Sequence, residues 1–186
     1  MMNFYRLAEG VDVVPLMHAV ARQPDLWNAN TFRTTFPNTP HGDVDDIWLR
    51  FSDPAKCSTV GTVIGDDTPV WHDAAKRLPQ AKPIILDLMR RVDAYELGRV
   101  LITKLRPGGR ILPHADTDGS YVNTNDRFRY HVVLQGLPGS LYRTGNETVC
   151  MRTGEVWWFN PTLEHEILNN SVDDRVHLLV DVRIYP

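Results

Sequence analysis

Apolar and polar residues follow two different patterns along the chain. In the first half, VDVVPLMHAVARQ (11–23) has its apolar residues at helical spacing, and two further helical stretches, broken near LPQAKP, are predicted between residues 69 and 95. DIWLRF (46–51) predicts a short strand. Residues 28–46 are rich in Asn, Thr, Pro and Asp, which predicts a long loop.

From Gly98 onward, short apolar segments alternate with turn residues. In chain order they are GRVLITKL, GRILPHAD, FRYHVVLQG, GSLYRTG, ETVCMRTG, EVWWFNP, EHEILNN and RVHLLVDVRIY. Short strands at regular spacing are typical of an antiparallel sandwich or barrel. RVHLLVDV is so uniformly apolar that we expect it to be covered on both faces. We predict a mainly β fold of about eight strands with N-terminal helices packed on one sheet.

Bulk composition agrees with one globular domain, in which residues 1–97 would support a core formed by residues 98–186. The chain has 186 residues, 42% of them apolar and 23% charged, with a net charge of −3. This charge provides no broad basic surface for nucleic acid. Two cysteines without a CxxC motif favour a reducing compartment. No signal-peptide pattern or membrane-spanning apolar run is seen, so we expect a cytoplasmic protein whose oligomeric state the sequence does not indicate.

The stretch ILPHADTDGSY places His114 and Asp116 at the end of a predicted strand. Side chains two positions apart on a strand point to the same face, so a nitrogen and a carboxylate oxygen can meet there. His165, 51 residues after His114, is the candidate third ligand. Two histidines and one carboxylate form the facial triad of non-haem Fe(II) oxygenases. Asp118 is a rival carboxylate, and the HxD pair is also compatible with a polar strand end and a capped turn.

Cationic residues accompany these candidate ligands. Arg175 follows His165 by ten positions across the turn NSVDD, which predicts a hairpin with both residues on neighbouring strands. FRYHVV places Arg129 and His131 on one strand face. Because an inward guanidinium is costly without a carboxylate, a bound diacid is the nearest explanation, although Arg175 alone is also compatible with an exposed strand end. His177 is expected to be a buried, hydrogen-bonded histidine.

Several of these motifs together resemble a known family. PGGRILPHAD, RFRYHVVLQG and GEVWWFNPTLEHEILNNSVDDRVHLLVDV are similar to segments of the aspartyl/asparaginyl β-hydroxylase family of 2-oxoglutarate- and Fe(II)-dependent dioxygenases, over about residues 70–186. The resemblance implies a double-stranded β-helix, a cupin-like jelly roll with helices on the larger sheet. It also implies that His114 and His165 bind iron and that Arg175 pairs with the distal carboxylate of 2-oxoglutarate.

The resemblance also covers the other residues of the cosubstrate site, but it does not indicate the substrate. Arg129, His131 and Thr103 match family residues in the cosubstrate pocket. The vertebrate enzyme that names the family has glycine where Asp116 stands, so its substrate is not carried over. The full triad implies an enzyme that uses Fe(II), 2-oxoglutarate and O₂ to hydroxylate a small amino-acid-like or peptide side chain, with succinate and CO₂ as coproducts.

Substrate contacts are less defined by the sequence. Residues 28–46 and 116–128 are the predicted lid. His41, in the first of these segments, is not expected to be a ligand. The candidate substrate residues are Trp48, Arg50, Asp118 and Arg127. Two alternatives stay open: a non-catalytic cupin-like sensor that binds metal and carboxylate, and a hydroxylase of a nucleobase or other small metabolite.

Overall fold

The computed structural model describes residues 3–56, 68–116 and 126–185. The strands in these ranges are β1 Phe4–Ala8, β2 Val44–Phe51, β3 Val70–Trp71, β4 Ala94–Leu105, β5 Arg110–His114, β6 Arg127–Gln135, β7 Ser140–Thr144, β8 Glu147–Val149, β9 Val156–Phe159, β10 His165–Asn169 and β11 Arg175–Ile184. The α-helices are α1 Val14–Ala21, α2 Phe32–Thr35, α3 Asp73–Arg77 and α4 Ala81–Arg91, and short 3-10 turns cover Pro24–Leu26 and Pro54–Lys56.

The strands form two antiparallel sheets. The larger sheet has the order β1-β9-β6-β11-β4-β2-β3, and the smaller has the order β5-β10-β7-β8. The eight strands β4 to β11 confirm the strand-rich second half, and β2 confirms the strand predicted in DIWLRF. Three strands of the larger sheet, β1 to β3, come from the first 97 residues, so that half of the chain contributes to the sheet as well as covering it.

The helices pack on the outer face of the larger sheet, as predicted for this jelly roll. Apolar side chains of α1 and α4 meet one face of β2, β4, β6 and β11 in a buried cluster that includes Leu16, Val20, Ile84, Leu88, Ile102, Val132, Leu178 and Val180. Each such side chain contributes roughly 1.5–3 kcal/mol when it is fully buried. β11 is central and buried along eight consecutive residues, which confirms the prediction from RVHLLVDV. No helix in the described ranges is long and apolar enough to cross a membrane.

A second core lies between the two sheets. It contains Phe4, Val44, Leu105, Ile111, Val133, Tyr142, Met151, Phe159 and Ile167. Because successive strand residues point to opposite faces, the alternate positions of β6 and β11 that avoid the helices face this layer. Those positions include buried polar residues such as His131, Arg175, His177 and Asp181. The layer between the sheets therefore contains buried polar side chains beside its apolar core.

The turn NSVDD does not form the predicted hairpin. β10 pairs with β5 and β7 in the smaller sheet, whereas β11 pairs with β4 and β6 in the larger one. The Asn169 amide holds this crossover by donating to the carbonyl oxygens of Leu105 at 2.8 Å and Asp173 at 2.9 Å. The hairpin prediction is therefore wrong, and His165 and Arg175 belong to opposite sheets.

Candidate metal and carboxylate site

Three candidate metal ligands converge where β5 and β10 meet. His114 ends β5, His165 begins β10, and the two residues are direct partners in the antiparallel register. The backbone N–H of Asp116 donates to the Pro161 carbonyl at 2.9 Å, which holds the aspartate beside the start of β10. One potential ligand atom from each of the three side chains lies within 4.8 Å of the others.

Backbone carbonyls determine which imidazole nitrogen can bind a metal. Nδ1 of His114 is 2.7 Å from the Leu112 oxygen, and Nδ1 of His165 is 2.9 Å from the Leu163 oxygen. A carbonyl oxygen only accepts, so both Nδ1 atoms donate and both Nε2 atoms keep a lone pair. Burial, with the neighbouring His114, lowers the pKa of His165 and favours its neutral form. This donor set fits a divalent iron ion.

A single pocket between the sheets joins these ligands to the predicted cosubstrate residues. Its lining is Arg33, His41, Thr103, Ile111, His114, Asp116, Arg129, His131, Tyr142, Phe159, His165, Ile167, Arg175 and Leu179. All seven residues predicted to bind metal or cosubstrate are in this set. Thr103 reaches it from β4, where it pairs in register with His177 of β11.

Arg175 is the deep cation of the pocket. It is 2% exposed, and its Nη2 donates to Nδ1 of His177 at 2.9 Å. The guanidinium carbon lies 5.4 Å from the centre of the Tyr142 ring. Burial lowers the pKa of Arg175 to about 10, so it remains charged at neutral pH. Within the described part of the chain no carboxylate pairs with it, and a buried charge without a counterion is an expected anion site.

Arg129 differs from Arg175 in having its own counterion. Its Nε and Nη2 donate to the two carboxylate oxygens of Asp181 at 2.7 and 2.9 Å. Burial lowers the pKa of Arg129, but the Asp181 carboxylate outweighs it, and the net pKa is raised. From the sequence we predict that Arg129 is one of the cations that bind a diacid. In the structure two of its five N–H donors are already used inside the chain.

His131 offers an unused nitrogen to the pocket. Its Nδ1 is 3.3 Å from Nδ1 of His177, and its Nε2 is buried with no hydrogen-bond partner among the described residues. Burial, reinforced by the Arg175 charge, lowers the pKa of His131 well below its usual value. A neutral imidazole with a free nitrogen next to the metal ligands is available to a bound molecule.

Among the pocket residues that were not predicted from the sequence are one arginine and one histidine. Arg33, on the one-turn helix α2, makes a two-pronged pair with the buried Asp46 at 2.7 and 2.8 Å. The His41 ring lies edge-on to His114 at 5.2 Å, and its Nδ1 has no hydrogen-bond partner within the described ranges. The Leu112 N–H donates to the Pro40 carbonyl at 3.0 Å, which keeps this segment beside β5. Only the prediction of a lid at 28–46 pointed towards them.

The candidate substrate residues lie elsewhere or outside the described chain. Trp48 packs in a buried cluster with Phe51, at 4.2 Å between ring centres. A register shift follows Trp48, and Arg50 donates to the Gly98 carbonyl at 3.2 Å and lies over the Trp71 ring. Arg127 is buried at the start of β6. Asp118 falls outside the described residues, and a substrate role for any of the four stays a prediction.

A known family matches most of the chain. The family described as Aspartyl/Asparaginyl beta-hydroxylase matches residues 40–184 of the chain. A search of curated proteins found no match.

Solved structures with the same fold are distant in sequence. An oxidoreductase of the 2OG-Fe(II) oxygenase family from Burkholderia pseudomallei has a TM-score of 0.54 at 17% identity, covering 89% of this chain and 78% of its own. A prolyl-4-hydroxylase from Pseudomonas putida has a TM-score of 0.53 at 16% identity, covering 99% and 94%. The viral collagen prolyl hydroxylase of Paramecium Bursaria Chlorella virus-1 has 0.53 at 11%, covering 100% and 97%. These likenesses show a shared double-stranded β-helix.

Proposed function

The chain belongs to the aspartyl/asparaginyl β-hydroxylase family, and from that premise we propose that it is an Fe(II)- and 2-oxoglutarate-dependent hydroxylase of an amino-acid-like or peptide side chain. One observation carries the proposal. The three candidate metal ligands and the unpaired cation Arg175 line the same pocket from opposite sheets. A molecule that chelates a metal at one end and carries a carboxylate at the other matches both, and 2-oxoglutarate is such a molecule.

His114, Asp116 and His165 would hold the iron. Two imidazoles and one carboxylate leave coordination positions open, as a chelating cosubstrate and dioxygen require. When bound, iron with 2-oxoglutarate and O₂ supplies hydroxylation of a C–H bond, with succinate and CO₂ as coproducts. The protein's part is to hold the two imidazoles in the tautomer that frees Nε2, by means of the carbonyls of Leu112 and Leu163.

Arg175 would bind the distal carboxylate of the cosubstrate. Its burial excludes water, and a charge-assisted hydrogen bond in such a setting contributes about 1.5–3 kcal/mol. Thr103 contributes a buried hydroxyl on the neighbouring strand, and His131 lines the same part of the pocket. The diacid would then be oriented with its far end in the dry interior and its chelating end at the ligands.

The substrate would meet the wall formed by the segment before β2. Arg33 and His41 are the polar residues of this wall that line the pocket. Asp46 uses only Nε and Nη2 of Arg33, so N–H donors remain for a polar group of the substrate. The prolyl hydroxylases with this fold support an amino-acid side chain as the target, at the level of fold alone.

A turnover screen tests the proposal. Protein reconstituted with Fe(II) is supplied with 2-oxoglutarate and O₂, and succinate is measured with free amino acids, peptides, nucleosides and single-stranded DNA as candidate substrates. We expect succinate to form slowly without substrate and to rise with an amino acid or peptide. Tight binding of metal and 2-oxoglutarate without any succinate would favour a sensor instead. Stimulation by nucleosides or DNA alone would overturn the proposed substrate class.

A further inference from the structure

Three arginines line the pocket, and one of them has a partner that differs in charge from the partners of the other two. Arg33 and Arg129 are each held through two hydrogen bonds by an aspartate, Asp46 and Asp181 respectively. Arg175 is held through Nη2 by Nδ1 of a histidine at 2.9 Å. The chain therefore pairs two of these guanidinium groups with its own carboxylates, whereas the buried Arg175 has a histidine as its partner.

The contact itself requires His177 to be a neutral acceptor. A guanidinium group has five N–H donors and no acceptor, so Nδ1 of His177 must present a lone pair to Arg175. The imidazole is then uncharged, with its proton on Nε2. His177 is 1% exposed, and the approach of His131 Nδ1 to 3.3 Å confines its ring further. Burial and the charge of Arg175 both lower the pKa of His177 well below its usual value, which agrees with this assignment.

A neutral partner has a different consequence for a ligand than a charged one. An aspartate beside Arg175 would form an ion pair with the guanidinium and occupy its N–H donors, as Asp181 does for Arg129. An incoming carboxylate would then have to compete with that aspartate. A partner with no acceptor would leave the guanidinium free to rotate, and a ligand would then have to order it. A neutral acceptor orients the group and leaves its charge uncompensated for an anion.

We propose that His177 is a positioning residue that holds Arg175 in the orientation that receives the distal carboxylate of the cosubstrate, without neutralising it. The proposal rests on the proposed function in that the bound diacid is taken to be 2-oxoglutarate. It assigns to His177 an effect on dicarboxylate affinity that acts through Arg175, and none on the metal ligands.

Three substitutions of nearly the same shape test this role. His177→Asn keeps a neutral acceptor near the position of Nδ1, His177→Leu removes the acceptor, and His177→Asp supplies a charged one. The affinity for 2-oxoglutarate is measured by calorimetry on Zn(II)-loaded protein, so that no turnover is needed. We expect Asn to lie within about threefold of the wild type, Leu to bind about tenfold more weakly and Asp about 100-fold more weakly, since hydrogen bonds to charged groups change affinity by such factors.

Matched measurements separate this role from simple packing. The affinity for Zn(II) is expected to stay within about threefold in all three variants, because His177 is not among the clustered metal ligands. With 2-oxobutyrate, which lacks the distal carboxylate, the three variants are expected to bind alike. Equal affinities of the Asn, Leu and Asp variants for 2-oxoglutarate would overturn the inference.

Failures of the inference and of the proposed function are distinguishable. Wild-type protein that binds Zn(II) but not 2-oxoglutarate would contradict the proposed function, and with it the diacid on which the inference rests. Wild-type binding together with an unimpaired Asp variant would contradict only the inference. If the Asp variant does not fold, the Asn and Leu variants decide, because a loss with Leu and retention with Asn is expected only from an acceptor role.

Discussion

The two sheets contribute opposite kinds of chemistry to one pocket. The smaller sheet and the turn after β5 provide His114, Asp116 and His165, which offer lone pairs, and two of the three are only half-buried. The larger sheet provides Arg129 and Arg175, which offer N–H donors; Arg129 is half-buried and Arg175 is buried. The pocket is therefore polarised, with lone pairs suited to a metal on one side and N–H donors suited to an anion on the other. The diacid of the proposed function would bind with its chelating end at the metal ligands and its far carboxylate at Arg175.

The largest effect is expected when a metal ligand of the smaller sheet is removed. His165→Ala removes a nitrogen ligand, and turnover of 2-oxoglutarate to succinate should fall by more than about 100-fold, because a catalytic metal contributes several kcal/mol. Iron content and succinate are measured after reconstitution. His18→Ala, on the exposed side of α1, is the control and should match the wild type. Normal iron binding by His165→Ala would contradict the ligand assignment.

The carboxylate ligand can be tested by a pair of neighbouring variants. Asp116→Ala should lose Fe(II)-dependent turnover to a similar degree, because the facial triad needs its carboxylate. Asp118→Ala should retain most of it. The measurement is succinate formation at saturating Fe(II). The reverse result, with Asp116→Ala active and Asp118→Ala inactive, would transfer the role to Asp118.

Removal of the Arg175 guanidinium from the larger sheet should weaken binding of the cosubstrate and leave metal binding unchanged. Arg175→Ala should raise the KM for 2-oxoglutarate about 100-fold, since at least one charge-assisted contact of about 1.5–3 kcal/mol is lost. Arg175→Lys should be only partly tolerated, because an ammonium cannot form a two-pronged contact. Iron binding should be unchanged in both. An unaltered KM in both variants would transfer the anion site to Arg129.

The ion pair between Arg129 and Asp181 in the larger sheet should contribute to the free energy of unfolding. Asp181→Asn leaves Arg129 buried with a neutral partner, and we expect a loss of about 2 kcal/mol, somewhat less than removing one side of a buried pair outright. For a chain of this size that corresponds to a Tm lower by roughly 4–8 °C. Scanning calorimetry of metal-free protein measures it. Asp87→Asn, whose ion pairs lie on the surface of α4, is the matched control and should shift the Tm little.

The smallest effect of a single substitution is expected on the pH dependence of stability, which also involves the larger sheet. Burial lowers the pKa of His131 and His177, so the folded protein keeps both neutral. On unfolding they regain a pKa near 6.5 and take up protons below it. Their contribution to stability is therefore complete above about pH 6.5 and is lost as the pH falls towards the lowered values, by up to about 1.4 kcal/mol per pH unit for each histidine.

Urea unfolding of metal-free protein at pH 7.5 and 5.5 checks this. His177→Asn should reduce the loss of stability between these two pH values, and His18→Asn should leave it unchanged. An identical loss in the wild type and in His177→Asn would mean that His177 is not held neutral in the folded protein.

The jelly roll and seven residues of its pocket were predictable from local patterns and from the family resemblance that these motifs carry. Alternating apolar runs and turn residues define the strands, and the HxD and RYH motifs place polar residues on one strand face. The hairpin at NSVDD was not predictable in the same way. A polar five-residue turn is compatible with both a hairpin and a crossover between sheets, and the choice depends on strand pairings with β5, β7, β4 and β6, which no local pattern contains.

The internal partners of the arginines were also beyond the sequence. Asp181 stands in the apolar run LVDV, and nothing in that run indicates that its carboxylate meets Arg129 on the adjacent strand. Arg33 and His41 lie in a polar segment without periodicity. They reach the pocket because that segment is held beside β5, for example by the Arg110 N–H, which donates to the Asp43 carboxylate at 3.1 Å. Such placement depends on contacts between residues far apart in sequence.

The direct pairing of His114 with His165 has a further consequence for the chain as a polymer. These residues are 51 positions apart in sequence. An ion bound by both would close a long loop and act as a reversible cross-link. β5 and β10 could then separate only after the ion departs. At an ion concentration of 100 times its Kd, mass action would add about 2.7 kcal/mol to the free energy of unfolding. Metal supply would then govern the lifetime of the molecule against proteases as well as its turnover.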